Sequence, residues 1–132
     1  MYFIFKHAER SRYKDKKGKF YHFDENSPNW EKVKEGARVL CYQKEDNWIF
    51  AIAKVGKILV RKKDGRKEFF ALYEDYRKLE EPIFLDEEVR LKVGLKRSLE
   101  LPSPGIIPIS KETFERIVSL SRNKPVSFNV KP

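Results

Sequence analysis

Aromatic rings stand beside polar turn residues at two places in this chain. In the stretch FYHFDENSPNW, Phe20, Tyr21, Phe23 and Trp30 bracket Asp24, Ser27, Pro28 and Asn29; further on, Trp48 follows Glu45, Asp46 and Asn47. Rings next to hydrogen-bonding side chains can hold something flat. Stacking a nucleobase on an aromatic side chain is worth about 1–3 kcal/mol, and amide, hydroxyl and carboxylate groups can read its edge. The candidate walls are Tyr21, Phe23, Trp30, Tyr42 and Trp48, with His22 beside them, and the candidate edge readers are Asp24, Ser27, Asn29 and local backbone carbonyls. In a strand, Tyr21 and Phe23 share one face and His22 takes the other. Core packing therefore competes with pocket lining for every ring.

Catalysis has no comparable signature. There is no glycine-rich phosphate loop of the Walker type, and one Cys with two His (His7 and His22) cannot build a zinc site of usual composition. No Ser or Cys sits in a nucleophile motif, and the acidic pairs Glu80–Glu81 and Glu87–Glu88 follow no nuclease spacing. The expectation is a binding module rather than an enzyme, without metal or cofactor.

Charge narrows the partner. The 132 residues carry 29 Lys and Arg against 20 Asp and Glu, a net charge of +9. Such a surplus on one small domain points to a polyanion, nucleic acid first and acidic membrane second. Heat adaptation also fills surfaces with charge, and one Cys, one Met and a single Gln fit a thermophile. Heat adaptation, however, raises Lys and Glu together and leaves no surplus. The cations cluster at Lys14, Lys16, Lys17 and Lys19, at Arg61, Lys62, Lys63, Arg66 and Lys67, and at Lys96 and Arg97. These are the expected contacts to a phosphate backbone; a solvated hairpin tip is the plain alternative for the second group. Cys41 lies in an apolar run and is expected to be a buried thiol in a reducing cytoplasm. No run of about 18 apolar residues is present, so a membrane-spanning helix is not expected.

The elements that must position these residues read as follows. Met1–Lys6 is a buried strand, and the basic turn Lys14–Lys19 leads into a second strand at Phe20–Phe23. Asn29–Lys34 reads as a helical turn, Arg38–Gln43 and Trp48–Val55 as strands. Asp64-Gly65 between strand-like runs is the strongest hairpin signal, because a tight turn needs positive φ. Leu79–Leu85 reads as another strand, Asp86–Leu91 as a helical turn and Lys92–Ser103 as loop. Ser110 caps a last helix with Phe114, Ile117 and Val118 on one face. The fold class is α+β, with a strongly curved mixed sheet or barrel flanked by short helices.

Three stretches carry a family resemblance: YHF before a polar loop and NWEKVKEGARVLCYQ, then IFAIAKVGKI, then GIIPISKETFERIVSL. In this order they resemble the EVE-like domains of the PUA superfamily, relatives of the YTH and SRA readers. Asn29, Val33, Gly36, Val39 and Tyr42 match the family's helix-to-strand segment, and Pro108 to Ile117 its last helix. Ala37 replaces the usual Asp, and Phe50 a usual small residue. The chain is most similar to the N-terminal DNA-binding domain of archaeal McrB proteins of modification-dependent restriction systems. That resemblance implies a modified-base-binding domain over residues 1–122 and the start of a linker over 123–132. It implies a hexameric AAA+ GTPase motor and a nuclease subunit as partners in a longer protein. It also implies recognition of a modified base, N6-methyladenine foremost, in duplex DNA by flipping it into an aromatic pocket. The rival readings are a PUA-like reader of modified RNA and a protein-interaction domain.

Overall fold

The computed structural model describes residues 1–8 and 18–123. Strand β1 (Tyr2–His7) and strand β3 (Arg38–Gln43) are apolar on both parities, as strands covered on both faces must be. They lie side by side and parallel, Phe3 opposite Val39 and Phe5 opposite Cys41. Every other pairing is antiparallel. Strand β4 (Trp48–Lys63) runs back along β3, and β5 (Arg66–Phe84) along β4. Strand β2 (Phe20–Asp24) covers the Glu68–Leu72 part of β5, and β6 (Ile106–Ile109) closes the other edge on β1. The six strands, in the order β2-β5-β4-β3-β1-β6, curl into a half-barrel. The expected α+β class with a curved mixed sheet is the class observed.

The β4–β5 turn falls at Asp64-Gly65, with φ of 52° and 76°, the doubly positive geometry of a two-residue hairpin. Between that turn and the far end the pairing slips at Ile49/Ala51, at Ile52/Lys54 and at Val55/Ile58. Each slip is a bulge that bends the ribbon and adds twist. Gly56 sits in the third; a Cβ there would stand 2.7 Å from the exposed Glu74 side chain, which would have to swing aside.

The curl separates two cores. The concave face gathers Phe3, Phe5, Tyr21, Phe23, Val39, Cys41, Phe50, Val55 and Phe69. The other face carries Ile4, Leu40, Tyr42, Ile49, Ile52 and Ile83 under two helices, α1 (Glu87–Val93) and α2 (Lys111–Asn123). Asp86 caps α1, its carboxylate accepting from the Val89 N–H at 2.9 Å, and Gly94 ends it at φ 93°. Ser110 caps α2 as its sequence requires, accepting from the Thr113 N–H at 3.0 Å. Phe114 then lies against Tyr2 with ring centroids 5.0 Å apart.

The sequence-based element boundaries differ at several points: β4 runs on from Val55 to Lys63, and α1 reaches Val93 rather than Leu91. Residues 79–85 are no separate strand; all but the last continue β5, because bulges let one strand bend where an unbroken one would have to end. The helical turn after Asn29 is a single 3-10 turn, Trp30–Lys32. Strand β6, in the stretch IIPI, reads from sequence only as the approach to α2. Its Pro108, which lacks an N–H, sits on an edge strand where that loss is tolerated.

The concave core makes one stability prediction. Phe5 is fully buried, so Phe5→Ala should cost about 3–5 kcal/mol in a denaturant titration. Leu91, which is 63% exposed on α1, should change stability by no more than about 0.5 kcal/mol when replaced by Ala.

Candidate functional site

Two aromatic clefts open on the concave side, and each holds one of the two tryptophans. They are separate. The first, of about 420 Å³, lies between the 3-10 turn and the ribbon and is lined by Phe23, Trp30, Val33, Ile58, Val60 and Phe69. Trp30 lies flat on Phe69, centroids 5.0 Å apart and planes 17° from parallel, so another side chain of the same wall already covers that ring. The polar loop before Trp30 is largely occupied with holding itself. The Asp24 carboxylate accepts from the Asn26 N–H at 2.8 Å, the Ser27 hydroxyl from the Asp24 N–H at 3.2 Å, and Asn29 donates to the Ile106 carbonyl at 3.0 Å. Asn29 adopts φ 72°, which lets its amide cross to β6. Asp24, Ser27 and Asn29 thus fix the turn that carries Trp30.

The second cleft, of about 550 Å³, opens at the end of the half-barrel where β3 turns into β4. Its walls include Trp48, Phe50 and Tyr76, and its polar groups include Gln43, Asp46 and Lys78. Trp48 is half-buried and meets Phe84 edge-on, at 5.7 Å and 72°, a contact that leaves the faces of the indole unstacked by that ring. The turn before Trp48 is held from the opposite face of the sheet. Tyr42, fully buried there, donates its hydroxyl to the Asn47 side chain at 2.6 Å, and Asn47 in turn donates to the Leu85 carbonyl at 3.2 Å. Burial pushes the Tyr42 phenol up to about 12, with Glu100 adding to the effect, so the donor stays in place at any working pH. Tyr42 lines neither cleft; it positions Trp48. Burial likewise pushes Tyr76 up to about 12, which keeps that phenol a neutral donor.

Gln43 follows from strand parity. Val39, Cys41 and Gln43 share the concave side, and Gln43 pairs with His7 and Trp48 across the neighbouring strands. It is 2% exposed, its amide nitrogen donates to the Glu45 carboxylate, and its amide oxygen has no hydrogen-bond partner. On the same side the His7 Nε2 lies 2.8 Å from the Tyr73 hydroxyl, and Tyr73 packs against Tyr76. Among the described residues no group of three or more His, Cys, Asp or Glu is placed to hold a metal ion, and no helix is long and apolar enough to cross a membrane.

No family model and no curated protein sequence matches this chain. Solved structures do. The ASCH protein of Zymomonas mobilis superimposes with a TM-score of 0.62 at 13% identity, over 90% of this chain and 94% of that one. A Tyr-to-Phe variant of the same protein gives 0.64 at 11% identity, over 90% and 97%. The chain shares the curled α+β, PUA-like fold of that protein. The fold class expected from sequence is thereby met; the likeness is one of fold and does not single out EVE-like or McrB-type domains.

Within this ASCH-like fold the expected site residues divide. Tyr21 and Phe23 are concave core: Tyr21 stacks on Phe5 at 4.5 Å, and Phe23 on Phe69 at 5.2 Å and beside Trp30. His22 lies on the opposite face of the sheet, as parity requires, buried there against Phe70 with ring centroids 4.5 Å apart. Trp30 and Trp48 line different clefts, so they form no common cage. Gln43, Phe50 and Tyr76 are cleft residues that the sequence reasoning missed. Parity along β3 marks Gln43, whereas Tyr76 was hidden. Tyr73 and Tyr76 are three apart and should face opposite ways, yet both pack on the concave core. The slip opposite Ile52/Lys54, with Asp75 at φ 48°, resets the alternation between them.

The cations divide too. Lys14, Lys16 and Lys17 lie outside the described residues. Lys19 is the turn residue before β2, its carbonyl accepting from the Tyr73 N–H at 2.9 Å. Lys62, Lys63, Arg66 and Lys67 stand exposed at the hairpin tip, the opposite end of the ribbon from Trp48. Lys96 and Arg97 are exposed in the connection from α1 to β6. Arg61 is braced rather than free. It donates to Glu68 at 2.7 Å and lies over the Phe70 ring at 5.3 Å, on the face that carries His22. That hydrogen bond from Arg61 holds the Glu68 carboxyl below its ordinary range.

His22 gives this brace a pH dependence. Burial lowers its affinity for a proton, Arg61 and Lys63 add to the effect, and Glu68 and Asp24 only partly oppose it. Its folded pKa is below the unfolded value of about 6.5. The unfolded chain therefore binds more protons in that window, and stability falls as pH drops from about 6.5 through the folded value. Thermal unfolding followed from pH 7.5 to 5 should show a midpoint that declines below about 6.5, and His22→Phe should flatten that part of the decline. An identical slope in the variant would assign the decline to other groups.

Proposed function

We propose that this domain is a nucleic-acid-binding module that takes a modified base, N6-methyladenine foremost, out of duplex DNA and into the Trp48 cleft. The observation that carries the reading is the cleft itself: Trp48, Phe50 and Tyr76 around an opening of a size usual for small-ligand sites, with the buried Gln43 amide and the exposed Asp46, Lys78 and Glu80 at its edge. Extruding a base from a duplex costs a few kcal/mol. One stacking wall returns about 1–3 kcal/mol. A cleft with several rings and hydrogen-bonding groups can offset the cost, whereas a single exposed ring cannot. The net charge of +9 supports a polyanionic partner, and the PUA-like fold is in keeping with a module of this kind.

The hairpin tip supplies the sequence-independent part of binding. Its cations contact phosphate and release counterions, which makes affinity fall with salt. By the resemblance to McrB-type proteins, the module would direct a restriction complex with a GTPase motor and a nuclease subunit to marked DNA.

The experiment is a titration of the domain against duplexes that carry N6-methyladenine, 5-methylcytosine or no mark, with a single-stranded RNA of the same sequence in competition. Tightest binding is expected for the N6-methyladenine duplex. Trp48→Ala should lose about 1–3 kcal/mol on that duplex alone. Neutralising Lys62, Lys63, Arg66 and Lys67 should weaken every duplex alike and reduce the salt slope by about 0.9 per lost contact. Preference for the RNA would favour the RNA-reading alternative, and binding without salt dependence a protein partner.

A further inference from the structure

We infer that Gln43 decides what the Trp48 cleft accepts: its amide oxygen receives one N–H from the edge of the bound base. The inference rests on the base-binding reading of that cleft, and it goes further by naming the group that the ligand must carry.

Gln43 is the only glutamine in the chain, and it stands at the last inward-facing position of β3. Its side chain lines the cleft and is 2% exposed. The amide is not free to turn, because its nitrogen donates to the Glu45 carboxylate. Swapping nitrogen and oxygen would set a carbonyl against that carboxylate, so the hydrogen-bond pattern fixes the orientation. The oxygen is then buried with no partner. Burial of an unsatisfied acceptor is unfavourable, and an apolar side chain of similar shape would avoid it. A lone buried acceptor of this kind, beside three rings suited to stacking, matches a ligand that brings the missing donor.

The chemistry of that donor is restrictive. A singly methylated exocyclic amine keeps one N–H, which can point to Gln43 while the methyl group fills apolar space. An ether at the same position has the same shape and only lone pairs, so it faces the amide oxygen with like partial charge. Gln43 thus selects for the N–H, and the rings select for the flat, methyl-bearing shape.

The test compares two purines that differ in that one group. The full domain is titrated with duplexes that carry N6-methyladenine or 6-methoxypurine opposite an abasic site, so that neither base is paired, alongside the same duplex with unmodified adenine. Wild type should bind the 6-methoxypurine duplex about tenfold more weakly than the N6-methyladenine duplex. Gln43→Met removes the acceptor and keeps the volume. It should bind both modified duplexes equally, and its thermal midpoint should be no lower than wild type, an outcome that a purely structural role for Gln43 would not give. Equal binding of the two purines by wild type, or the wild-type ratio retained in Gln43→Met, would overturn the assignment. If Trp48→Ala still weakened binding in that case, the base cleft would stand without Gln43. If all duplexes bound alike and Trp48→Ala had no effect, the base reading would fail and this assignment with it. Should Gln43→Met fail to fold, the wild-type ratio still decides.

Discussion

A two-stranded ribbon with arms of 16 and 19 residues can wrap a core only where its pleat is interrupted, and β4–β5 is interrupted at three places. An unbroken pleat would keep each parity on one face and hold the ribbon nearly straight. Each bulge bends the ribbon and moves one residue between faces. The concave core, the separation of two clefts and the inward turn of Tyr76 all follow from those slips. The helices depend on them as well, since the bent sheet offers Ile49, Ile52 and Ile83 together to the face that α2 covers.

This dependence explains which features were legible in the sequence. The Asp64-Gly65 turn, the Ser110 cap and the alternation of Tyr21, His22 and Phe23 are local, governed by φ preferences, hydrogen bonding and parity within a few residues. Each was readable. The bulges are not local in this sense, because a bulge exists only relative to a partner strand and its register. Tyr76 was therefore hidden although its neighbours were ordinary strand residues. The two tryptophans could not be apportioned either. Their distance along the chain says nothing of whether a curled sheet brings them together, and the half-barrel sets them in separate clefts. Gln43 was accessible by parity alone, as the next inward position after Val39 and Cys41, but one glutamine among large rings gives little signal.

The clefts differ in how far the protein has already satisfied its own groups. Around Trp30, the ring is stacked on Phe69 and the loop amides and carboxylates are engaged with backbone. Around Trp48, the neighbouring ring is edge-on and the Gln43 oxygen lacks a partner. Folded chains usually satisfy buried polar groups, and departures concentrate where function opposes stability. The turn that holds Trp48 is, by contrast, firmly built: Tyr42, Asn47 and Leu85 tie it to the helical side of the sheet. A rigid support beneath an unsatisfied surface is the arrangement expected of a preorganised binding site.

With only two tryptophans, the chain allows each cleft to be observed alone. In Trp30→Phe the sole remaining indole is Trp48, and in Trp48→Phe it is Trp30. Indole emission followed during titration with a duplex that carries one N6-methyladenine is the most direct measurement. Stacking of a base on Trp48 should quench the Trp30→Phe protein at the marked duplex and not at the unmarked one, while the Trp48→Phe protein changes little. Quenching confined to Trp30, with Trp48 silent, would place the ligand in the other cleft and contradict base capture by Trp48.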